Sequence, residues 1–331
     1  MDTPTFTDYV KSICTLFDRF VQVHPEHESA LHTYSNRSLL IFFLLMQMRR
    51  IFTFKTQWRW LTQHPQLLVH LGWVQVPHRT TLLRRYGKLY PLLQALVQFV
   101  GQDATALDER LRQTHLVEDK SLCKALGPVW HQSDRQAQQV PAKLRHLDRD
   151  ATWSKSGYHG WVYGYDLHLT CNDHAFPALV QVETAAVAET TVLDQKEVTI
   201  LNQLRPTTLA ADNSYAQAMR LRRWPQQGVV LLTPATKWQQ GRFAQAYHHY
   251  RKQPANLRRL RKRRTTIEPL FDLVAKVLGT TAKQKQLPIQ RLPQVRTCLA
   301  LATFSLQVAM IVNSIWGLPL RNISTISAAL T

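Results

Sequence analysis

Residues 160–172, GWVYGYDLHLTCN, alternate apolar and polar side chains and are rich in aromatics. That period of two predicts a β-strand. PALVQVETAA (177–186) is a second run of the same kind, and THLVEDKSL (114–122) is a shorter one upstream. After them the rhythm changes. A helical segment covers about 190–204, TTLAADNSY (207–215) opens on another strand, a helix follows to about 224, and GVVLLTP (228–234) is a fifth strand. Three strands, then alternation of strand and helix, then helices, predict an α/β domain with a mixed central sheet.

Outward from that core, residues 1 to about 110 are expected to be helical. SLLIFFLLMQMRRIF (38–52) is a dense apolar run of helix formers, and LLRRYGKLYPLLQALVQFV (82–100) has 3.6-residue spacing. Pro77 and a Thr80 cap predict a short helix bearing Arg84, Arg85 and Lys88, a basic face suited to a phosphate backbone. On the other side, residues 236–264 form a basic insert. The apolar stretch 291–316 is expected to pack on the sheet. Its core, LALATFSLQVAMIV, contains Ser and Gln and is too short for a membrane span, so no membrane partner is expected.

The 331-residue chain carries 41 Lys and Arg against 22 Asp and Glu, a net charge of +19 and a pI near 10.1. Such an excess calls for a polyanion, and nucleic acid is the expected partner. The cysteines Cys14, Cys123, Cys171 and Cys298 share no CxxC spacing, which excludes a zinc ribbon or disulfide framework as an expectation. MDTPTFTDYV lacks the basic and apolar segments of a signal peptide. A cytoplasmic, nucleoid-associated protein of a bacterium suits these features.

Within so basic a chain the carboxylates stand out. Asp119 lies in HLVEDKSL, where Val117, Asp119 and Ser121 share one strand face. Asp212 ends the apolar strand of TLAADNSY, where ligand sites of α/β sheets lie. Capping of the next helix is the ordinary role for such an aspartate. Beyond Asp212 the only carboxylate side chains are Glu268 and Asp272, in RKRRTTIEPLFDLVAK (261–276). The stripe Ile267, Leu270, Phe271, Val274, Val277 and Leu278 predicts an amphipathic helix. Two ordinary roles exist for Glu268: a capping box with Thr265, or a ladder with Arg264, Asp272 and Lys276. Yet Arg261, Lys262, Arg263 and Arg264 crowd what that reading makes the helix N-terminus, against the macrodipole. Cations there suit phosphates. Asp119, Asp212 and Glu268 could then hold one or two hard divalent ions beside a nucleic-acid backbone.

VEDKSL, DATWSKSGYHGWVYGYDLHL, LAADNSYAQAMRLRRW and RRTTIEPLFDLVAK, in that order over about 112–280, resemble the insertion-sequence DDE transposases. The resemblance implies a ribonuclease H-like mixed sheet flanked by helices, over 111–331, and an N-terminal all-helical DNA-binding region over 1–110. It implies that Asp119, Asp212 and Glu268 bind two Mg²⁺ or Mn²⁺ ions. Arg264 matches the family's arginine and Lys276 lies near its lysine. Both, with Arg261, Lys262, Arg263, Arg84 and Arg85, are expected DNA or phosphate contacts. The implied activity is cleavage at the inverted-repeat ends of a transposon and strand transfer into target double-stranded DNA, by a homodimer that brings two ends together. Two positions depart from the pattern: Asp166 replaces the lysine of GYKLH, and Arg261 replaces a tyrosine. A hydrolysis-only nuclease of the same fold, a decayed or domesticated DNA-binding protein and an RNA-binding protein are the competing readings. His168 is expected to be a hydrogen-bonded core histidine.

Overall fold

The computed structural model describes residues 4–28, 33–156, 160–234, 241–281 and 283–323. Residues 236–240 of the expected basic insert lie outside them.

The chain opens with six helices: α1 (Phe6–Val23), α2 (Asn36–Met48), α3 (Phe54–Gln63), α4 (Gln66–Leu71), α5 (Arg79–Gly87) and α6 (Tyr90–Asp103). The cap of α5 differs from expectation. His78 is its N-cap, and its Nδ1 accepts from the Thr80 amide at 3.4 Å. Thr80 sits inside the first turn, so Pro77 ends two residues before the helix rather than starting it.

Six strands form one sheet: β1 (His115–Lys124), β2 (Thr152–Ser156), β3 (Gly160–Asn172), β4 (Pro177–Thr184), β5 (Thr208–Ala210) and β6 (Val230–Leu232). The long β3 takes antiparallel β1 on one edge. On its other edge it takes β4 along Tyr165–Cys171 and β2 along Gly160–Gly164. On the far side of β1, β5 and then β6 run parallel to it. A meander followed by two parallel strands joined through helices is the mixed, ribonuclease H-like arrangement, with helices on both faces. The β1–β3 junction explains the glycine of GYDLH. A Cβ on Gly164 would lie 1.9 Å from the Cys123 carbonyl oxygen, so no other residue lets the two backbones approach this closely.

Alternation along β1 sends its side chains to two different cores. Leu116 packs with Leu193, Ile200, Leu209, Leu221 and Trp224, beneath α8 (Glu189–Thr199) and α9 (Ala218–Gln226). A π turn, Ile200–Leu204, closes α8. Val117 and Cys123 join the larger core on the opposite face, built with the N-terminal helices, α11 (Pro254–Val277) and α12 (Leu292–Ile315). The short α7 (Gln132–Gln136) and α10 (Arg242–Lys252) complete the set. α12 is apolar and long enough to cross a membrane. Here it lies in the core, where Gln307 donates to the carbonyls of Val97 on α6 and Pro177 on β4.

One expectation about α11 is overturned. It does not begin near Thr265. It runs unbroken from Pro254, with proline at its first position. The Thr265 hydroxyl donates to the Lys262 carbonyl inside the helix, so there is no capping box. Arg261–Arg264 are therefore mid-helix, and the argument from the helix dipole does not apply to them. Asn256, Arg263, Ile267, Leu270 and Val274 continue one buried stripe through the basic run, and this stripe holds the helix together across it.

Candidate active site

β1 and β5 place two aspartates side by side. In their parallel register Val117 pairs with Ala210. Asp119 and Asp212 each lie two residues further on, so both fall on the same face just past the last β1–β5 pair, Asp119 in mid-strand and Asp212 beyond the carboxyl end of β5. That face is the α11 face: Asp119 pairs across with Leu169, a member of the larger core. The Lys120 amide donates to Asp119 Oδ1 at 2.8 Å. Asp212 caps the short turn Asn213–Tyr215, and its Oδ1 accepts from the Ser214 amide at 2.9 Å and from the Ser214 hydroxyl. The capping role expected for an aspartate there is thus filled by one oxygen.

Burial pushes the Asp119 carboxyl up to about 6. The Lys120 amide and the Arg263 charge oppose that rise, while Asp212 and Glu118 add to it. Among the described residues Asp119 has no ion-pair partner. A carboxylate held in this way favours the arrival of a cation.

Glu268 stands on an exposed flank of α11. Among the described residues it makes neither hydrogen bond nor ion pair, and none of Arg264, Asp272 and Lys276 forms the expected ladder with it. Pro269 follows it directly, so the Thr265 carbonyl lacks its helical donor at this point. Among the described residues no three His, Cys, Asp or Glu side chains gather closely enough to hold a metal ion. Asp119 and Asp212 come together, and Glu268 does not join them. The donor chemistry nevertheless fits a hard cation: Mg²⁺ is commonly held by one or two carboxylates, with substrate phosphate and water completing its shell.

The cations divide. Arg258, Arg261, Lys262, Arg264 and Lys276 are exposed, whereas Arg263 is buried toward the sheet. In the N-terminal region Arg84 is exposed, and half-buried Arg85 donates to Asn36 Oδ1 at 2.7 Å.

The opposite face of β1 carries charges that sequence reasoning did not single out as a group. Lys196 of α8 donates to the fully buried Glu118 at 2.7 Å, and the Thr170 hydroxyl donates to the same carboxylate. Lys120 Nζ lies 3.0 Å from both Asp166 and Glu189. Burial pushes Asp166 up to about 7 and Lys120 opposes it. The departure at GYDLH thus has a local partner: aspartate replaces lysine on β3, and a lysine faces it from β1. His168 is buried as expected but not hydrogen-bonded, since neither ring nitrogen has a partner among the described residues. Burial, then the charges of Lys196 and Lys120, hold it well below the usual histidine range.

Residues 132–286 match the family described as Transposase DDE domain. The match includes Asp212 and Glu268 and begins after Asp119. No curated protein and no solved structure matches the chain. The sheet order, the two aspartates on one sheet face and this match agree, and over residues 132–286 the chain is similar to the DDE transposases.

Proposed function

We propose that the protein cleaves DNA at transposon ends and joins the freed strand to target DNA, with Asp119, Asp212 and Glu268 as its metal-binding acids. The observation that carries this reading is the pair of aspartates that lie side by side where the β1–β5 pairing ends, with no ion-pair contact among the described residues. The failure of both ordinary roles for Glu268 supports it. Neither a capping box nor a salt-bridge ladder uses that carboxylate, although Arg264 lies one turn away.

One or two Mg²⁺ or Mn²⁺ ions, when bound, would supply Lewis-acid activation of the phosphodiester and of the attacking oxygen. The chain does the rest. Asp119 and Asp212 offer oxygens from rigid strands, and the Lys120 and Ser214 amides fix their rotamers. Glu268 reaches this pair when substrate draws the flank of α11 toward the sheet. The exposed Arg258, Arg261, Lys262, Arg264 and Lys276 lie along α11 and orient the backbone electrostatically. The helices of residues 1–110, with Arg84 exposed, are proposed to recognise the ends, and two copies to pair them.

The test is Mn²⁺-dependent cleavage of a supercoiled plasmid carrying the transposon ends, with a gel shift for binding. Asp119→Ala, Asp212→Ala and Glu268→Ala should each lower cleavage on the order of 10³-fold while binding survives. Normal cleavage by Glu268→Ala removes it from the site. A wild type that binds these ends and never cleaves them, whichever divalent ion is supplied, leaves a DNA-binding protein only, and cleavage without joined products leaves a nuclease.

A further inference from the structure

Arg263 belongs to the basic run by sequence but not by position. It is 5% exposed, while Arg261, Lys262 and Arg264 are in solvent. It lies on the stripe of α11 that faces β1 and β5, one turn before Ile267. Its Nε and Nη1 are inaccessible and have no hydrogen-bond partner among the described residues. A guanidinium stays charged at any working pH and cannot escape burial by losing its proton. Burying one without acceptors is costly unless a negative charge lies near. On this face α11 packs on β1 and β5, the Arg263 charge acts on Asp119, and Asp212 lies close enough to Asp119 to act on it in turn.

We propose that Arg263 is an internal counter-ion of the Asp119–Asp212 pair: a positioning residue that holds the two carboxylates together in the metal-free protein and sets how tightly the site takes a divalent cation. The inference rests on the reading of the aspartates as metal ligands. Two carboxylates on neighbouring strands repel each other, and the fold has to form before any ion is bound. Arg263 lowers that repulsion from within the protein. When a divalent cation enters, the same fixed charge opposes it. The site therefore gains preorganisation and loses affinity through one residue, and phosphate groups brought by DNA restore the balance of charge. This role differs from that of the exposed cations on α11, which meet the backbone from outside.

The experiment measures Mn²⁺ binding to the DNA-free full chain by electron paramagnetic resonance. It compares wild type, Arg263→Gln, Arg263→Lys and Asp119→Asn. Removing a fixed charge beside a divalent ion should tighten binding by about tenfold or more in Arg263→Gln. Arg263→Lys keeps the charge and should stay within about threefold of wild type. Equal or weaker binding by a folded Arg263→Gln overturns the proposal. A thermal unfolding cycle adds Asp119→Asn/Arg263→Gln. Losing both charges should cost less than the sum of the single losses, and simple additivity overturns the pairing. If Arg263→Gln alone does not fold, the double variant has to fold, and its failure also overturns the proposal. Equal Mn²⁺ binding by wild type and Asp119→Asn refutes the metal-ligand reading instead, and the unfolding cycle then decides the counter-ion on its own.

Discussion

Adjacent residues of one strand meet opposite fates. Glu118 and Lys120 point to the α8 face, where every carboxylate has a cation: Glu118 has Lys196, and Asp166 and Glu189 share Lys120. Asp119 points to the α11 face, where neither it nor Asp212 nor Glu268 is ion-paired among the described residues. Burial does not mark a functional carboxylate here: Glu118 and Asp166 are buried, whereas Asp119 and Asp212 are half-buried and Glu268 is exposed. What marks it is the missing partner. Paired charges fix register and helix docking. Unpaired ones beside each other make the fold costlier and are reserved for something that arrives later.

The widest separation between the faces should appear in stability. Lys196→Met strands Glu118 without its cation and is expected to cost about 3–5 kcal/mol in urea unfolding, while Glu118→Gln/Lys196→Met costs much less. Asp119→Asn removes a charge that no close ion pair holds and leaves Asp212 beside Arg263, so the metal-free protein should lose no more than about 1 kcal/mol. A comparable loss in Asp119→Asn would erase the distinction between the faces. The Lys120–Asp166 pair offers a second contrast. Asp166→Lys restores the residue of the family pattern but sets two lysines against one Glu189. It should cost about 2–4 kcal/mol, and the swap Lys120→Asp/Asp166→Lys should recover at least half. Without that recovery, Asp166 is not compensated by Lys120.

His168 sharpens the comparison through pH. Burial keeps its folded-state pKa well below 6.5. Its contribution is fully present above the unfolded value and is lost as pH falls below it. As pH falls below 6.5 the wild type should lose stability that His168→Leu does not lose. The same acid-side slope in both proteins would place the proton uptake elsewhere on the α8 face.

Much of this was legible in the chain. The period-two runs locate β1, β3 and β4 within two residues of their observed ends, and the strand face of Asp119 and the strand-end position of Asp212 were both legible. β2 was missed. It is five residues long and, among the described residues, pairs only with β3. The extent of α11 was missed for another reason. A basic run looks like a solvated boundary, although Pro254 and the spacing of Asn256, Arg263, Ile267 and Leu270 mark one continuous helix. Which cation turns inward depends on the phase of that helix, and phase is set by packing on β1 and β5. For the same reason the Lys120–Asp166 pair could not be read locally: its partners are 46 residues apart and meet through strand register.

The finest contrast lies within α11 itself. Arg258, Arg261, Lys262 and Arg264 are exposed, and Arg263 among them is not. If the exposed cations meet phosphates, each one changed to Ala should lower the slope of log K against log salt by about 0.9. The matching loss of DNA binding is about 1 kcal/mol near physiological salt, and stability should shift by no more than about 0.5 kcal/mol. Arg263→Gln should leave the salt slope unchanged, because its charge is already matched inside the protein. A titration series of fluorescence anisotropy at four salt concentrations separates the two classes. If Arg263→Gln lowers the slope as Arg264→Ala does, the buried residue reaches the backbone after all and α11 acts as a single electrostatic surface. If only the exposed variants do so, one helix carries two kinds of arginine, told apart by a rotation of about 100° per residue.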